Sequence, residues 1–316
     1  MPCRIHVLVA VSLLFCLPAA DAARRNDGVV TVDDGTKLYY VEKGNGHDVL
    51  VAPVALYLEP YLLDDLAVER RVIFYDPRNR GRSDYADLAT VSLDRQVADL
   101  EALRKALHIE RMALLGWSGL GMEMAAYTLR HPERVTRLIQ LSPVPPAASI
   151  MNASGDTRDE KVDQEALEAL DAQAGSGVFD TVPQTYCRLR NALTNPANFV
   201  NPALSSRLPD VCLYSNEWPA KLWPYFGALL GSFGDYDWRP GLASLDVPRL
   251  VIHGREDGVP LAGAIAWAAG YDNARLMVLS PSGHFPFIEQ HTATVAAIRT
   301  FLDGDWPEGA ERVPPP

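Results

Sequence analysis

Short apolar runs and amphipathic stretches alternate along most of the chain. Gly28 to Asp33 and Lys37 to Glu42 alternate partly between apolar and polar residues and flank Asp33-Asp34-Gly35, the pattern of a β-hairpin. Four further runs read as buried strands: 48–53, 71–76, 112–115 and 135–141. Ser92 to Leu107 places Leu93, Val97, Leu100 and Leu107 on one helical face, with Ser92 in position to cap it. A second helix, rich in small residues, is predicted over 122–130. Strand-like runs return at 249–253 and 274–279, with helical patterns over 259–269 and 292–302. A hairpin followed by strand–helix units predicts an α/β fold: a mostly parallel, eight-stranded sheet covered by helices on both faces. Right-handed crossovers would gather the loops that follow the strands along one edge, where such sheets carry their sites.

Residues 147–243 break this alternation. Asp163 to Ala172 has an acidic helical pattern, and later stretches mix Trp, Tyr, Phe, Pro and Asn, as in Trp223-Pro224-Tyr225-Phe226. The segment reads as an inserted, mainly helical cap dividing a core of 23–146 and 244–306. Its aromatic residues serve either as cap packing or as the wall of a pocket. The Pro-rich tail, 307–316, is expected to be flexible.

Composition narrows the function. The 316 residues carry a formal net charge of -11, which argues against non-specific nucleic-acid binding, since that needs a basic face. Arg4 and His6 precede an apolar stretch, Val7 to Ala20, shorter than the roughly 20 residues of a membrane span. Ala20-Asp21-Ala22 fits a cleavage site, so residues 1–22 are expected to be a signal peptide and the protein to be exported, periplasmic or secreted. Two cysteines remain after cleavage, Cys187 and Cys212. In an oxidising compartment they form a disulfide or stay as buried thiols.

Three loops carry candidate chemistry. Gly116-Trp117-Ser118-Gly119-Leu120-Gly121 lies between a strand and a helix, where glycines permit a sharp turn exposing the Ser118 hydroxyl. The fifth position of this turn is Leu120, and a glycine follows at 121. His253-Gly254-Arg255-Glu256-Asp257-Gly258 follows a later strand, and Ser282-Gly283-His284-Phe285-Pro286-Phe287-Ile288-Glu289 follows the last. A serine hydroxyl needs a base and an acid to become a nucleophile; His284 and Asp257 supply them, with Glu256 as a neighbouring competitor for the acid's place. No His/Cys/Asp spacing suggests a metal, and no cofactor motif is present.

The order Ser, Asp, His, each just after a strand, resembles the α/β-hydrolase superfamily. H-G-R-E-D-G-V-P is similar to its acid loop, S-G-H-F-P-F-I-E-Q to its histidine loop, and D-P-R-N-R-G-R-S-D to the loop after its fourth strand. The resemblance implies Ser118 as nucleophile, His284 as base and Asp257 as its partner. It also implies an oxyanion hole from the Gly119 backbone and the loop after the third strand. Relatives carry His-Gly in that loop; here it reads Ala52-Pro53-Val54-Ala55-Leu56-Tyr57, leaving the Val54 or Ala55 N–H, or the Tyr57 hydroxyl, as second donor. A serine at the elbow argues against dehalogenase and epoxide-hydrolase chemistry, which need a carboxylate nucleophile. Trp117, Tyr57, Glu217 and Trp218 are candidate substrate-binding residues. Three functions follow: an esterase-type serine hydrolase, a prolyl-aminopeptidase-like enzyme holding a substrate amine on cap acids such as Glu217, Asp235 or Asp237, and a non-catalytic binding member of the fold. The partner in the first two is a small ester or a short peptide.

Overall fold

A computed structural model of the protein describes residues 25–315. The expected signal peptide, 1–22, lies outside them. Among the described residues the eight predicted strands form one sheet: β1 (Asn26–Thr31), β2 (Lys37–Lys43), β3 (Val49–Pro53), β4 (Arg71–Tyr75), β5 (Met112–Trp117), β6 (Val135–Leu141), β7 (Arg249–Gly254) and β8 (Ala274–Leu279). Their spatial order is β1-β2-β4-β3-β5-β6-β7-β8. The β1–β2 and β2–β4 pairs are antiparallel and the remaining pairs parallel. The central strands are apolar runs because both of their faces are covered. Every residue of β5 and of β7 is buried.

The helices of the core cover the two faces. On one face, α2 (Leu93–Ala106), α3 (Gly121–Arg130) and α9 (Leu261–Ala268) pack Val97, Leu100, Leu103, Met122 and Trp267 against Val51, Leu114 and Val251. On the other, α1 (Ala55–Leu66) and α11 (His291–Leu302), with the short α10 (Pro286–Glu289), pack Leu58, Leu62, Phe287 and Ile298 against Leu50, Phe74 and Ile252. Ser92 caps α2 as predicted, accepting the Arg95 N–H at 3.2 Å. The sequence pattern marks no helix at 55–66, because Ala52 to Tyr57 reads as a loop. Pro60 faces solvent, while Ala55, Leu58, Leu62 and Leu66 follow helical spacing into the core.

The insertion is helical: α4 (Ala148–Ser154), α5 (Gln164–Gly175), α6 (Pro183–Thr194), α7 (Pro219–Gly231) and α8 (Arg239–Ala243), joined by short 3₁₀ turns. Cys187 in α6 is disulfide-bonded to Cys212, with their Cα atoms 5.8 Å apart. Tyr225 and Leu229 of α7 are buried against Val54, Val91 and Leu120 of the core, so the cap closes over the turn after β5.

The expectation of a flexible tail is corrected. β8 is a sheet edge, and Glu311 and Leu276 exchange backbone hydrogen bonds across it at 2.9 Å in each direction. Gly270 N–H donates to the Val313 carbonyl, and the Trp306 ring lies 5.1 Å from that of Phe301. The tail thus covers an edge whose N–H and C=O groups would otherwise stand open.

One buried acid in α3 has a measurable consequence. Glu123 is 1 % exposed and neither carboxyl oxygen has a hydrogen-bond partner among the described residues. Burial pushes its pKa up to about 8, opposed in part by Arg80. A carboxyl with a raised folded-state pKa contributes stability that is complete below its unfolded value and is lost as pH rises through the folded value. Unfolding free energy should therefore fall between pH 5 and 8. In Glu123→Gln that decline should shrink by roughly 2–4 kcal/mol, since each tenfold change in a protonation equilibrium is worth about 1.4 kcal/mol. Urea unfolding at both pH values measures this; an unchanged pH slope in the variant would show that Glu123 is not the source.

Candidate active site

The geometry begins at the turn after β5. Ser118 has φ 54°, in the left-handed region that non-glycine residues enter only under constraint. The constraint is the close approach of backbone on either side. A Cβ on Gly116 would lie 2.3 Å from the Gly121 Cα, and one on Gly121 would lie 2.1 Å from Gln140 Oε1. Gln140, opposite Gly116 on β6, holds the turn by donating from Nε2 to the Gly121 carbonyl at 2.9 Å. The close-packing glycine is therefore at 121, one residue later than the usual elbow pattern. Leu120 turns away from β5 into the cluster with Val54, Tyr225 and Leu229. A side chain at Gly119 would meet no atom within 4 Å. Among the described residues, the Gly119 N–H has no hydrogen-bond acceptor.

The sheet brings the three predicted residues together. His284 Nε2 is 2.9 Å from Ser118 Oγ, and its Nδ1 is 2.9 Å from Asp257 Oδ2 and 3.1 Å from Oδ1. Nδ1–H donates to the carboxylate, which leaves Nε2 to accept the serine proton. Burial alone would raise the Asp257 pKa. The His284 imidazole and the Val259 N–H, which donates to Oδ1 at 2.9 Å, outweigh it and hold the carboxyl below its usual range. Glu256 does not compete. It turns to the histidine loop, accepting from Ser280 Oγ at 2.7 Å and the Ser282 N–H at 2.8 Å. His253 is buried, donates from Nε2 to the Val259 carbonyl at 3.1 Å, and has its pKa lowered chiefly by burial. It shapes the acid loop as a neutral ring.

The loop after β3 keeps its turn without His-Gly. Val54 is left-handed at φ 62° and serves as the N-cap of α1 with no side-chain cap bond. Leu56 N–H donates to Asp76 Oδ1 at 3.1 Å, and Tyr57 N–H to the Val54 carbonyl at 3.0 Å. Neither the Val54 nor the Ala55 N–H has an acceptor among the described residues, so both remain free donors at the start of α1. Asp76 is itself fixed by Arg82, whose Nε lies 2.8 Å from Oδ2.

The substrate-binding candidates fare differently. Tyr57 lies at the seam of core and cap with its ring centroid 5.4 Å from Trp117, and its hydroxyl has no protein partner among the described residues. Trp117 is a support: its Nε1–H donates to the His284 carbonyl at 3.0 Å and its ring centroid lies 5.4 Å from the imidazole. Glu217 is corrected. Its carboxylate takes Arg80 Nε and Nη2, both at 2.9 Å, and the Gly81 N–H at 2.7 Å, all buried, so a substrate amine would have to displace an arginine. Trp218 donates its indole N–H to the Cys212 carbonyl at 2.8 Å and packs on the disulfide. Asp237 is paired with Arg239 on the protein surface. Sequence reasoning missed Glu289, which accepts the Gly283 N–H at 2.6 Å and the cap Val200 N–H at 2.8 Å; its place five residues after His284 was the available signal. A recess of about 730 Å³ opens near the amino ends of β3, β5 and β6, lined by His47, Arg70, Arg111 and Arg137, and contains none of these groups.

Residues 46–290 match the family described as alpha/beta hydrolase fold. Among curated proteins the chain is similar to a non-heme chloroperoxidase of Streptomyces lividans, 29% identical over 75% of this chain and 85% of that protein. It is also similar to a proline iminopeptidase of Heyndrickxia coagulans, 25% identical over 88% and 98%. Among solved structures it shares its fold with an esterase from Exiguobacterium antarcticum, with a TM-score of 0.64, 22% identity, and coverage of 87% of this chain and 99% of that one.

The turn geometry makes a graded prediction. Gly116→Ala meets backbone and cannot be absorbed by a side-chain rotation. It should cost about 1–3 kcal/mol or more and displace Ser118. Gly121→Ala meets the end of Gln140 and should cost less. Thermal melts of both variants test the order; a milder Gly116→Ala would contradict the close-approach account.

Proposed function

The chain belongs to the alpha/beta hydrolase fold family, and from that premise we propose that it is a serine hydrolase cleaving carboxylic esters through Ser118, His284 and Asp257. The observation that carries the reading is the unbroken chain Ser118 Oγ, His284 Nε2, His284 Nδ1, Asp257 Oδ2, with both contacts at 2.9 Å. In this reading Ser118 Oγ attacks the ester carbonyl as its proton passes to His284 Nε2. Asp257 stabilises the imidazolium. The Gly119 N–H and that of Val54 or Ala55 receive the developing oxyanion. The tetrahedral centre collapses with loss of the alcohol, which takes the proton from His284, and an acyl group remains on Ser118. A water molecule, deprotonated by the same imidazole, then releases the acid and restores the serine.

A second reading, a prolyl-aminopeptidase-like enzyme, is favoured by the similarity to the Heyndrickxia coagulans protein. Ester hydrolysis ranks above it because Glu217 and Asp237, two of the cap acids suited to an amine, are already paired with arginines. Export of the mature protein is part of the proposal and is supported by the Cys187–Cys212 bond, which persists in oxidising compartments. Among the described residues no helix is long and apolar enough to cross a membrane.

A fluorophosphonate probe should label the mature protein, and Ser118→Ala should abolish the labelling. A folded sample that does not label would point to a non-catalytic member of the fold. Turnover of p-nitrophenyl esters should exceed that of prolyl and other aminoacyl arylamides. A strict requirement for a free amino group would reverse the ranking in favour of the peptidase.

A further inference from the structure

The base of the triad hangs from the cap as much as from the core. Three consecutive cap residues meet the histidine loop. The Asn198 carbonyl accepts the His284 backbone N–H at 2.8 Å. The Phe199 ring stacks on Phe285, with centroids 4.9 Å apart and planes within 5°. Val200 donates its N–H to Glu289 Oε1 at 2.8 Å, while Glu289 Oε2 accepts the Gly283 N–H at 2.6 Å. One carboxylate therefore ties the cap backbone to the residue before His284. The fit is tight, since a Cβ on Gly283 would lie 2.4 Å from the Asn198 carbonyl oxygen. The cap segment is held in turn near the acid loop. Arg158 Nη1 donates to Asn198 Oδ1 at 3.1 Å, and Thr157 N–H donates to the Gly258 carbonyl at 3.0 Å.

We propose that Glu289 is a positioning residue that latches the cap segment 198–200 to the histidine loop, so that seating of the cap and alignment of His284 with Ser118 are one event. The His284 N–H has no acceptor in the core; its acceptor is the cap carbonyl of Asn198, while the Gly283 N–H is held by Glu289 of α10, whose other carboxylate oxygen takes the cap Val200 N–H. When the cap segment lifts, the His284 backbone loses its acceptor and the Nε2 to Oγ alignment loosens. Displacement of a catalytic group by about 1 Å can cost on the order of 100-fold in rate. The consequence for catalysis rests on the serine-hydrolase reading; the backbone coupling does not.

The test uses the mature chain and the variants Glu289→Gln, Glu289→Ala and Gly283→Ala. Gly283 has no left-handed φ, so alanine there acts through its contacts, 2.4 Å from the Asn198 carbonyl oxygen and 3.1 Å from Glu289 Oε2, the two partners of the latch. With p-nitrophenyl acetate, kcat and the rate of fluorophosphonate labelling should fall roughly 10–100-fold in Glu289→Ala and Gly283→Ala, and less in Glu289→Gln, which keeps one acceptor. KM should stay near that of the wild type in all three; the Glu289→Gln melting temperature should stay near it too, while Gly283→Ala, whose Cβ meets backbone, should melt lower. Hydrogen exchange of the 280–290 peptide should quicken in both strong variants. Unchanged kcat with raised KM would reduce the cap segment to a wall of the substrate site and overturn the proposal. Wild-type kcat in folded variants would do the same. If the wild type does not label, the hydrolase reading fails, and exchange at 280–290 alone decides the latch; unchanged exchange in Glu289→Ala would sink it. Should Gly283→Ala fail to fold, the two Glu289 variants carry the comparison.

Discussion

The backbone contact between Gly116 and Gly121 is the constraint on which the site depends. It lets β5 end, reverse and enter α3 within four residues, which forces Ser118 into a left-handed conformation at φ 54°. Such a residue costs about 1–3 kcal/mol and persists only when its surroundings over-determine it. Here they are β5 buried along its whole length, α3 buried along most of its own, and the Gln140 side chain bonded to the Gly121 carbonyl. The same reversal leaves the Gly119 N–H pointing away from any acceptor. The strain at Ser118, the placement of its hydroxyl and the free Gly119 donor are three results of one contact.

A second constraint fixes everything around that turn. The loop after β4 sends three arginines in three directions. Arg78 is buried in a bidentate pair with Asp99 of α2, at 2.6 and 2.8 Å. Arg80 reaches the cap through Glu217, and Arg82 returns to Asp76, the residue that holds the first turn of α1. Buried ion pairs gain little net stability because each charge must leave water. Their value here is geometric: each fork tolerates one orientation, and losing one partner strands a buried charge at a cost of about 3–5 kcal/mol. The loop after β3, α2 and the cap are thereby held in register by one short segment.

What was legible in the sequence follows from which signals are local. Strands buried on both faces are contiguous apolar runs, so all eight were readable within a residue or two of their observed limits, and so were the loops bearing Ser118, Asp257 and His284. The α1 helix was missed because Ala52 to Tyr57 reads as a loop, although Ala55, Leu58, Leu62 and Leu66 follow helical spacing and Pro60 faces solvent. Glu217 read as an available carboxylate because its arginine is 137 residues away. The tail read as flexible because pairing with β8 depends on an edge that exists only after the sheet forms. Choosing between Glu256 and Asp257 likewise needed the third dimension, since their hydrogen-bond partners lie on another loop.

Val54 shows how the fold keeps the turn after β3 without the glycine the resemblance led one to expect. A β-branched residue at φ 62° is a severe outlier, costing about 1–3 kcal/mol. Glycine would relieve that strain but would remove a side chain that is almost fully buried with Leu120, Tyr225 and Leu229. Burying a valine is worth about 1.5–3 kcal/mol, so the two terms nearly cancel. The balance exists only while α7 of the cap supplies Tyr225 and Leu229. With the cap seated, the strained turn is supported and the Ala55 N–H stays free; with it lifted, Val54 would keep its strain and lose part of its compensation. Cap packing therefore bears on the loop after β3 through Val54, and cap contacts bear on the histidine loop through Asn198 and Glu289. Both sides of the candidate site thus lean on the same insertion.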